Sequence, residues 1–197
     1  MALASGVPTA KAAAPPLALR WSEDATRDFY DRAQRLRWLH QLGDWTDATG
    51  RQQGRVAFAE LWTSRGPSGR LYSLDVTALV RQHGADIMFV AASGALRVYA
   101  REALVGPPTL RVVRGGQAIL MAATADTWLT PNNGSPLGSE PTVWIIYTAL
   151  FRFPQAADPS IESATLFLTA ARPHGPGRFL VMRPTPLNPA PDPPRRR

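Results

Sequence analysis

From position 56 onward the chain is a series of short runs in which apolar and polar residues alternate, each bounded by Gly, Pro or Asn. Leu96 to Arg101 shows the pattern well: Leu96, Val98 and Ala100 fall on one side, Arg97, Tyr99 and Arg101 on the other. Such a period of two belongs to a strand with one wet face. The same reading predicts strands at 56–62, 71–75, 87–92, 96–101, 110–114, 118–122, 126–130, 142–153, 163–169 and 179–183. One stretch reads differently. Ser22 precedes Glu23 and Asp24, Glu23/Arg27 and Asp31/Arg35 stand four apart, and Phe29, Ala33 and Leu36 recur at helical spacing, which predicts a helix over 23–36. Residues 43–54 are a loop by composition. The predicted fold class is all-β, an antiparallel β-sandwich or jelly roll with one N-terminal helix.

Composition adds bounds to that picture. A chain of 197 residues with 45% apolar content is expected to fold as one domain, here placed at 20–183 between a disordered lead at 1–19 and a Pro/Arg-rich tail at 184–197. No run approaches the ~20 apolar residues of a membrane-spanning helix, so no membrane partner is expected. No basic start followed by a compact apolar run marks a secretory signal. The absence of cysteine removes disulfides and thiolate metal sites.

The net charge of +7 is uneven. Residues 172–197 carry six cations and one acid, so the C-terminal end supplies +5 of it. Arg195, Arg196 and Arg197, after a Pro-rich stretch, read as a solvated end and not as a nucleic-acid contact.

Two blocks carry a further pattern. Ala125, Asp126, Thr127 and Trp128 are followed by Gly134 and Gly138, then by Arg152 and Phe153, then by Ile161, Ser163, Ala164, Thr165 and Leu166. Earlier in the chain stand Asp75, Val76, Thr77, Leu79 and Val80, the Arg101–Glu102 pair, and Pro108 with Leu110. The later block (125–170) resembles the opening half of a DNRLRE-type carbohydrate-binding module, and the earlier block (72–113) resembles its closing half. Their order is reversed. Residues 22–56 match no part of the pattern.

The resemblance implies a β-sandwich that binds polysaccharide outside the cell or at its surface, in the company of polysaccharide-degrading enzymes. The reversed order leaves two ways to close it. Either the halves meet in one chain as a circular permutant, or each is completed by a neighbouring chain in a head-to-tail structural assembly, which would make self-association its mode of action. A fragment of a tandem array or of a larger polysaccharide lyase is a third reading.

Candidate ligand residues come from the polar loop. Flat aromatic rings stack on sugar C–H faces, and an arginine fork suits a uronic acid carboxylate. Of the six tryptophans, Trp38 and Trp45 lie in or beside a stretch that also holds Arg37, His40, Asp44, Asp47 and Arg51. The expected site is therefore Trp38, Trp45, Arg37, Asp44, Asp47 and Arg51, with polysaccharide as partner, an acidic one fitting the basic first 114 residues. Asp75 and Asp126 are expected to accept backbone hydrogen bonds in turns. Arg101 and Glu102, as strand neighbours, are expected on opposite faces, and Arg152 is expected to close the module electrostatically.

No catalytic role is predicted. The three histidines are far apart, and no nucleophile elbow, phosphate-binding loop or dinucleotide fingerprint is present. Asp44 to Gly50 lacks the ligand alternation of a calcium loop and reads as an Asx turn. Carboxylate pairs drawn from Asp44, Asp47, Glu60 or Glu102 are no more than any short chain offers. No metal or cofactor is expected.

Overall fold

A computed structural model describes residues 21–132 and 134–186; the predicted lead at 1–19 and the tail from 187 onward lie outside them. In chain order the elements are β1 (Phe29–Asp31), β2 (Leu36–Arg37), β3 (Trp45–Thr46), β4 (Ala59–Thr63), β5 (Leu71–Asp75), α1 (Thr77–His83), β6 (Asp86–Ser93) and β7 (Leu96–Tyr99). They continue as β8 (Thr109–Arg114), β9 (Gln117–Ala122), β10 (Ala125–Leu129), β11 (Thr142–Ile145), β12 (Thr148–Arg152), β13 (Ser163–Thr169) and β14 (Gly177–Pro184). All the pairings are antiparallel, in an all-β sandwich.

One sheet runs β10-β12-β6-β14, and the far edge of β14 is shared by β4 and β3. The other runs β5-β13-β8-β9. The β7–β11 ribbon extends this second sheet through a bridge between Val98 and Ala170 and the Ala171 N–H donating to the Arg97 carbonyl. Between the sheets lies the main core. The alternation seen in sequence sets its membership: Leu110 and Val112 of β8, and Ala164, Leu166 and Leu168 of β13, point inward. Phe89 and Phe151 meet edge to face at 5.9 Å in its centre.

The two motif blocks interlock. β13 of the later block lies between β5 and β8 of the earlier one, and β12 of the later block pairs with β6. β7 pairs with β11. These sheets are completed within one chain, and the reversed order of the motifs does not call for a neighbour to supply the missing strands. The predicted strand at 142–153 is two strands. The chain turns at Ile146 and Tyr147, so that β11 joins the ribbon while β12 crosses to the other sheet.

The N-terminal helix is corrected. Residues 23–36 form turns and the β1–β2 hairpin, and the one helix of the described residues is α1, inside the closing-half motif. The acids that suggested a helix start close turns instead. Asp24 accepts from the N–H groups of Arg32 and Ala33, Asp31 accepts from the Gln34 N–H, and Arg35 adopts φ 58°. Tertiary burial decides the matter. Tyr30 and Trp38, 5.5 Å apart, pack with Trp21 and Ala25 against Met88, Leu150 and Met182 on the outer face of the first sheet. This second core explains why the strand at Ile87 reads as a continuous apolar run, since its sheet is covered on both faces.

Arg152, expected to close the module electrostatically, ties this N-terminal layer to the sheet. Its Nε donates to Asp86 at 2.6 Å, its Nη2 donates to the Trp21 carbonyl at 2.8 Å, and the guanidinium lies 4.6 Å from the Trp21 ring centre. No helix among the described residues is long and apolar enough to cross a membrane.

Candidate functional site

Most of the predicted loop site is part of the scaffold. Trp38 is 5% exposed, with its indole N–H donating to the Thr26 carbonyl, so it belongs to the second core and offers no platform. Asp44 is fully buried and accepts from the N–H groups of Leu39 and His40 and from the His40 ring at 2.8 Å. Asp47, 2% exposed, accepts from Thr49 N and Oγ1, Arg51 N and Val56 N. The Thr49 hydroxyl leads in holding its pKa down at about 2, with the backbone N–H groups beside it. Asp47 closes an Asx turn, as the sequence reading has it, whereas Asp44 holds the backbone of Leu39 and His40 upstream of it; both are buried. A Cβ on Gly54 would lie 2.0 Å from the Asp47 carboxylate, so the loop requires glycine there. Arg37 lies over Phe29 and Arg51 is exposed, both away from the groove described next.

Trp45 is the predicted residue that reaches an open surface. Half-buried, it donates its indole N–H to the Gly54 carbonyl at 2.9 Å. Beside it, among the described residues, lies a groove of about 590 Å³ lined by Trp45, Arg55, Val90, Ala91, Ala92 and Arg178, with the buried Leu180 and Met182 beneath. A bulge shapes it: Arg178 pairs with Ser93 and Phe179 with Ala91, leaving Ala92 unpaired.

At the rim stands a triad absent from the predicted site. Glu60 accepts from Arg178 Nε at 3.0 Å and Nη2 at 2.6 Å, and from the Trp62 indole N–H at 2.9 Å. The guanidinium lies 5.0 Å from the Trp62 ring centre. Arg178, first among the causes, holds the Glu60 carboxyl below its ordinary pKa, and Glu60 in turn raises that of Arg178. Trp62 is thus a ring that is 66% exposed yet fixed in orientation by two partners. The sequence carried its signal. In β4, Leu61 and Thr63 are buried, so Glu60 and Trp62 occupy the polar positions of an alternating strand. Arg178 could not be found that way, because its pairing with Glu60 depends on the register of β4 against β14.

The remaining matched polar residues are structural. Asp75 accepts from Thr77 N and Oγ1, which lowers its pKa and sets the entry to α1. Arg101 and Glu102 do meet, contrary to the expectation of opposite faces, because β7 ends at Tyr99: Arg101 Nε donates to Glu102 at 2.7 Å. Asp126 accepts from the Arg101 N–H at 2.6 Å, while its other oxygen is buried without a partner. Burial leads in raising its pKa to about 7, with Glu102 and Glu23 adding to it and the Arg101 N–H and guanidinium opposing. Among the described residues no group of three or more His, Cys, Asp or Glu side chains is placed to hold a metal ion. No protein-family model, no curated protein and no solved structure matches the chain.

Proposed function

We propose that the protein is a non-catalytic carbohydrate-binding β-sandwich of the DNRLRE kind, permuted within one chain, and that its ligand lies along the groove between Trp45 and Trp62. The observation that carries this reading is Trp62, a large, exposed ring held rigid by Glu60 and Arg178 beside an apolar trough. An aromatic surface fixed before binding loses little conformational entropy when a sugar face settles on it. The trough supplies contact for C–H faces, and Arg55, with the outer edge of Arg178, supplies donors for hydroxyl oxygens. An extracellular or cell-surface setting follows from the same family likeness.

Affinity electrophoresis through gels containing alginate, pectin or a neutral β-glucan tests the reading. Retardation by at least one of them is expected, and Trp62→Ala should weaken it by about fivefold or more. The variant should melt within about 2 °C of the parent, since the ring lies outside both cores. Folded protein that runs unretarded in every gel would sink the proposal.

A further inference from the structure

β9 ends the second sheet and is the least covered strand of the fold. Of the strands of four or more residues, it is the one with no buried side chain: Ile119 is 48% exposed, Leu120 67%, and Met121 packs partly against the main core. Its position is nevertheless set. β9 pairs with β8 over its whole length, and Gly115 and Gly116 close the hairpin at φ 56° and 72°, the left-handed pair that a two-residue turn requires. The Gly116 N–H donates to Glu162 at 2.9 Å. One rim of the strand is fixed, and among the described residues no strand pairs with the other.

The ladder decides which groups lie on the open rim. In an antiparallel pair, residues that exchange hydrogen bonds alternate with residues that do not. Ala123, one step past the end of β9, donates to the Pro108 carbonyl. Counting back, Gln117, Ile119 and Met121 turn their N–H and C=O groups to β8, and Ala118, Leu120 and Ala122 turn theirs outward. A row centred on Leu120 fits a copy of itself. About a twofold axis at Leu120, Ala118 meets Ala122 of the second copy and Leu120 meets Leu120, while on the inner face Ile119 meets Met121.

Such a contact sets residues at the axis against their own counterparts, so a charge there meets a like charge. β9 satisfies the condition. Residues 115–125 hold no Asp, Glu, Lys or Arg, whereas β4, β5 and β10, the other strands of five or more residues at a sheet edge, carry Glu60, Asp75 and Asp126. Charges, prolines and bulges keep edges from pairing, and β9 has none of them. Arg111, opposite Leu120 on β8, would stand three strand spacings from its counterpart, about 14 Å, which is beyond the screening length at physiological salt.

We propose that β9 is a dimerisation edge, along which two copies pair antiparallel about a twofold axis at Leu120 and join their second sheets into one. Main-chain hydrogen bonds hold the pair, with Leu120 on Leu120 outside and Ile119 on Met121 inside. The contact is small beside standard interfaces, so the dimer exchanges with monomer in the micromolar range. It is closed, unlike a head-to-tail assembly, and it rests on this edge and not on the carbohydrate-binding reading.

Sedimentation velocity of the full chain from about 1 to 300 μM tests it, with amide hydrogen exchange at both ends of that range. The mass should double with concentration. Exchange at Ala118, Leu120 and Ala122 should slow by about tenfold or more as it does, while Ile119 and Met121 are slow throughout. Leu120→Lys should raise the dimer dissociation constant about tenfold or more and melt within about 2 °C of the parent monomer, since the side chain is exposed. Mixed with Leu120→Glu, it should associate more tightly than either variant alone. A chain that stays monomeric at the highest concentration would overturn the proposal, as would a dimer unaffected by Leu120→Lys, a mixture no more associated than its components, or particles that grow past two copies. Slow exchange at Leu120 in the monomer would mean that another segment of the same chain covers the edge, and overturn it too.

Discussion

Asp47 and Asp126 are both withdrawn from solvent, and their carboxyl groups are driven in opposite directions. Asp47 sits in a loop whose N–H and O–H groups converge on it from Thr49, Arg51 and Val56, and its pKa falls to about 2. Asp126 lies at the inner end of a strand with the Arg101 N–H as its donor, one bare oxygen, and Glu23 and Glu102 close by, and its pKa rises to about 7. Burial is common to both. What differs is the number of donors aimed at the charge, and that number decides whether the fold is stabilised by the ionised group or strained by it.

The largest expected effect tests the strained member. From about pH 4 to pH 7 the unfolded chain has an ionised Asp126 while the folded protein keeps the proton, so the folded state binds more protons and stability falls as pH rises. The loss from this group is on the order of 4 kcal/mol at most, complete once pH passes about 7. Asp126→Asn should remove that descending limb and raise the melting temperature at pH 7.5, with its amide donating toward the unpartnered Oε2 of Glu102. Thermal melts from pH 4 to 8 check this. A parent curve that is flat over that range would contradict the raised pKa.

Asp47→Ala is the next test. It strips the acceptor from the Thr49, Arg51 and Val56 donors, and the melting temperature at pH 7 should drop by roughly 5–10 °C. The same substitution should weaken glycan retardation, because Gly54, whose carbonyl orients Trp45, packs directly on the Asp47 carboxylate. A variant that melts and binds like the parent would show that the loop is held by something other than this carboxylate.

Asp47 also shows where sequence reasoning stopped. Its turn-forming role was legible, since an Asp with Thr and Gly two and three residues on has a local partner in reach. Local pattern likewise placed most of the strands from β4 onward, because alternation is written into consecutive residues, though it ran β11 and β12 together. The N-terminal layer was misread for the opposite reason. Whether Trp38 faces water or Met88 and Met182 depends on residues some fifty to a hundred and forty positions away, and no local spacing reports it. Helical periodicity in Phe29, Ala33 and Leu36 was a coincidence of spacing that the burial of Tyr30 overrode. The candidate site divides along the same line: Trp62 was visible as an aromatic on the polar side of a strand, whereas Arg178, which fixes it, was visible only once β14 had been laid beside β4.

The smallest effect separates the two aspartates on the acid side. Below about pH 4 the unfolded chain takes up protons that folded Asp47 refuses until about pH 2, so here the unfolded state binds more protons and stability is lost as pH falls. Asp158 contributes with the same sign, since Ser160 and Arg114 hold its pKa at about 2 as well. Stability should therefore peak between the two limbs, near pH 4 to 5. Asp158→Asn, on an exposed turn, should shallow the acid limb by a degree or two of melting temperature and leave the limb from pH 4 to 7 untouched. Movement of the neutral limb in that variant would mean that the two ends of the curve share their titrating groups, and the contrast between satisfied and unsatisfied carboxylates would not be its cause.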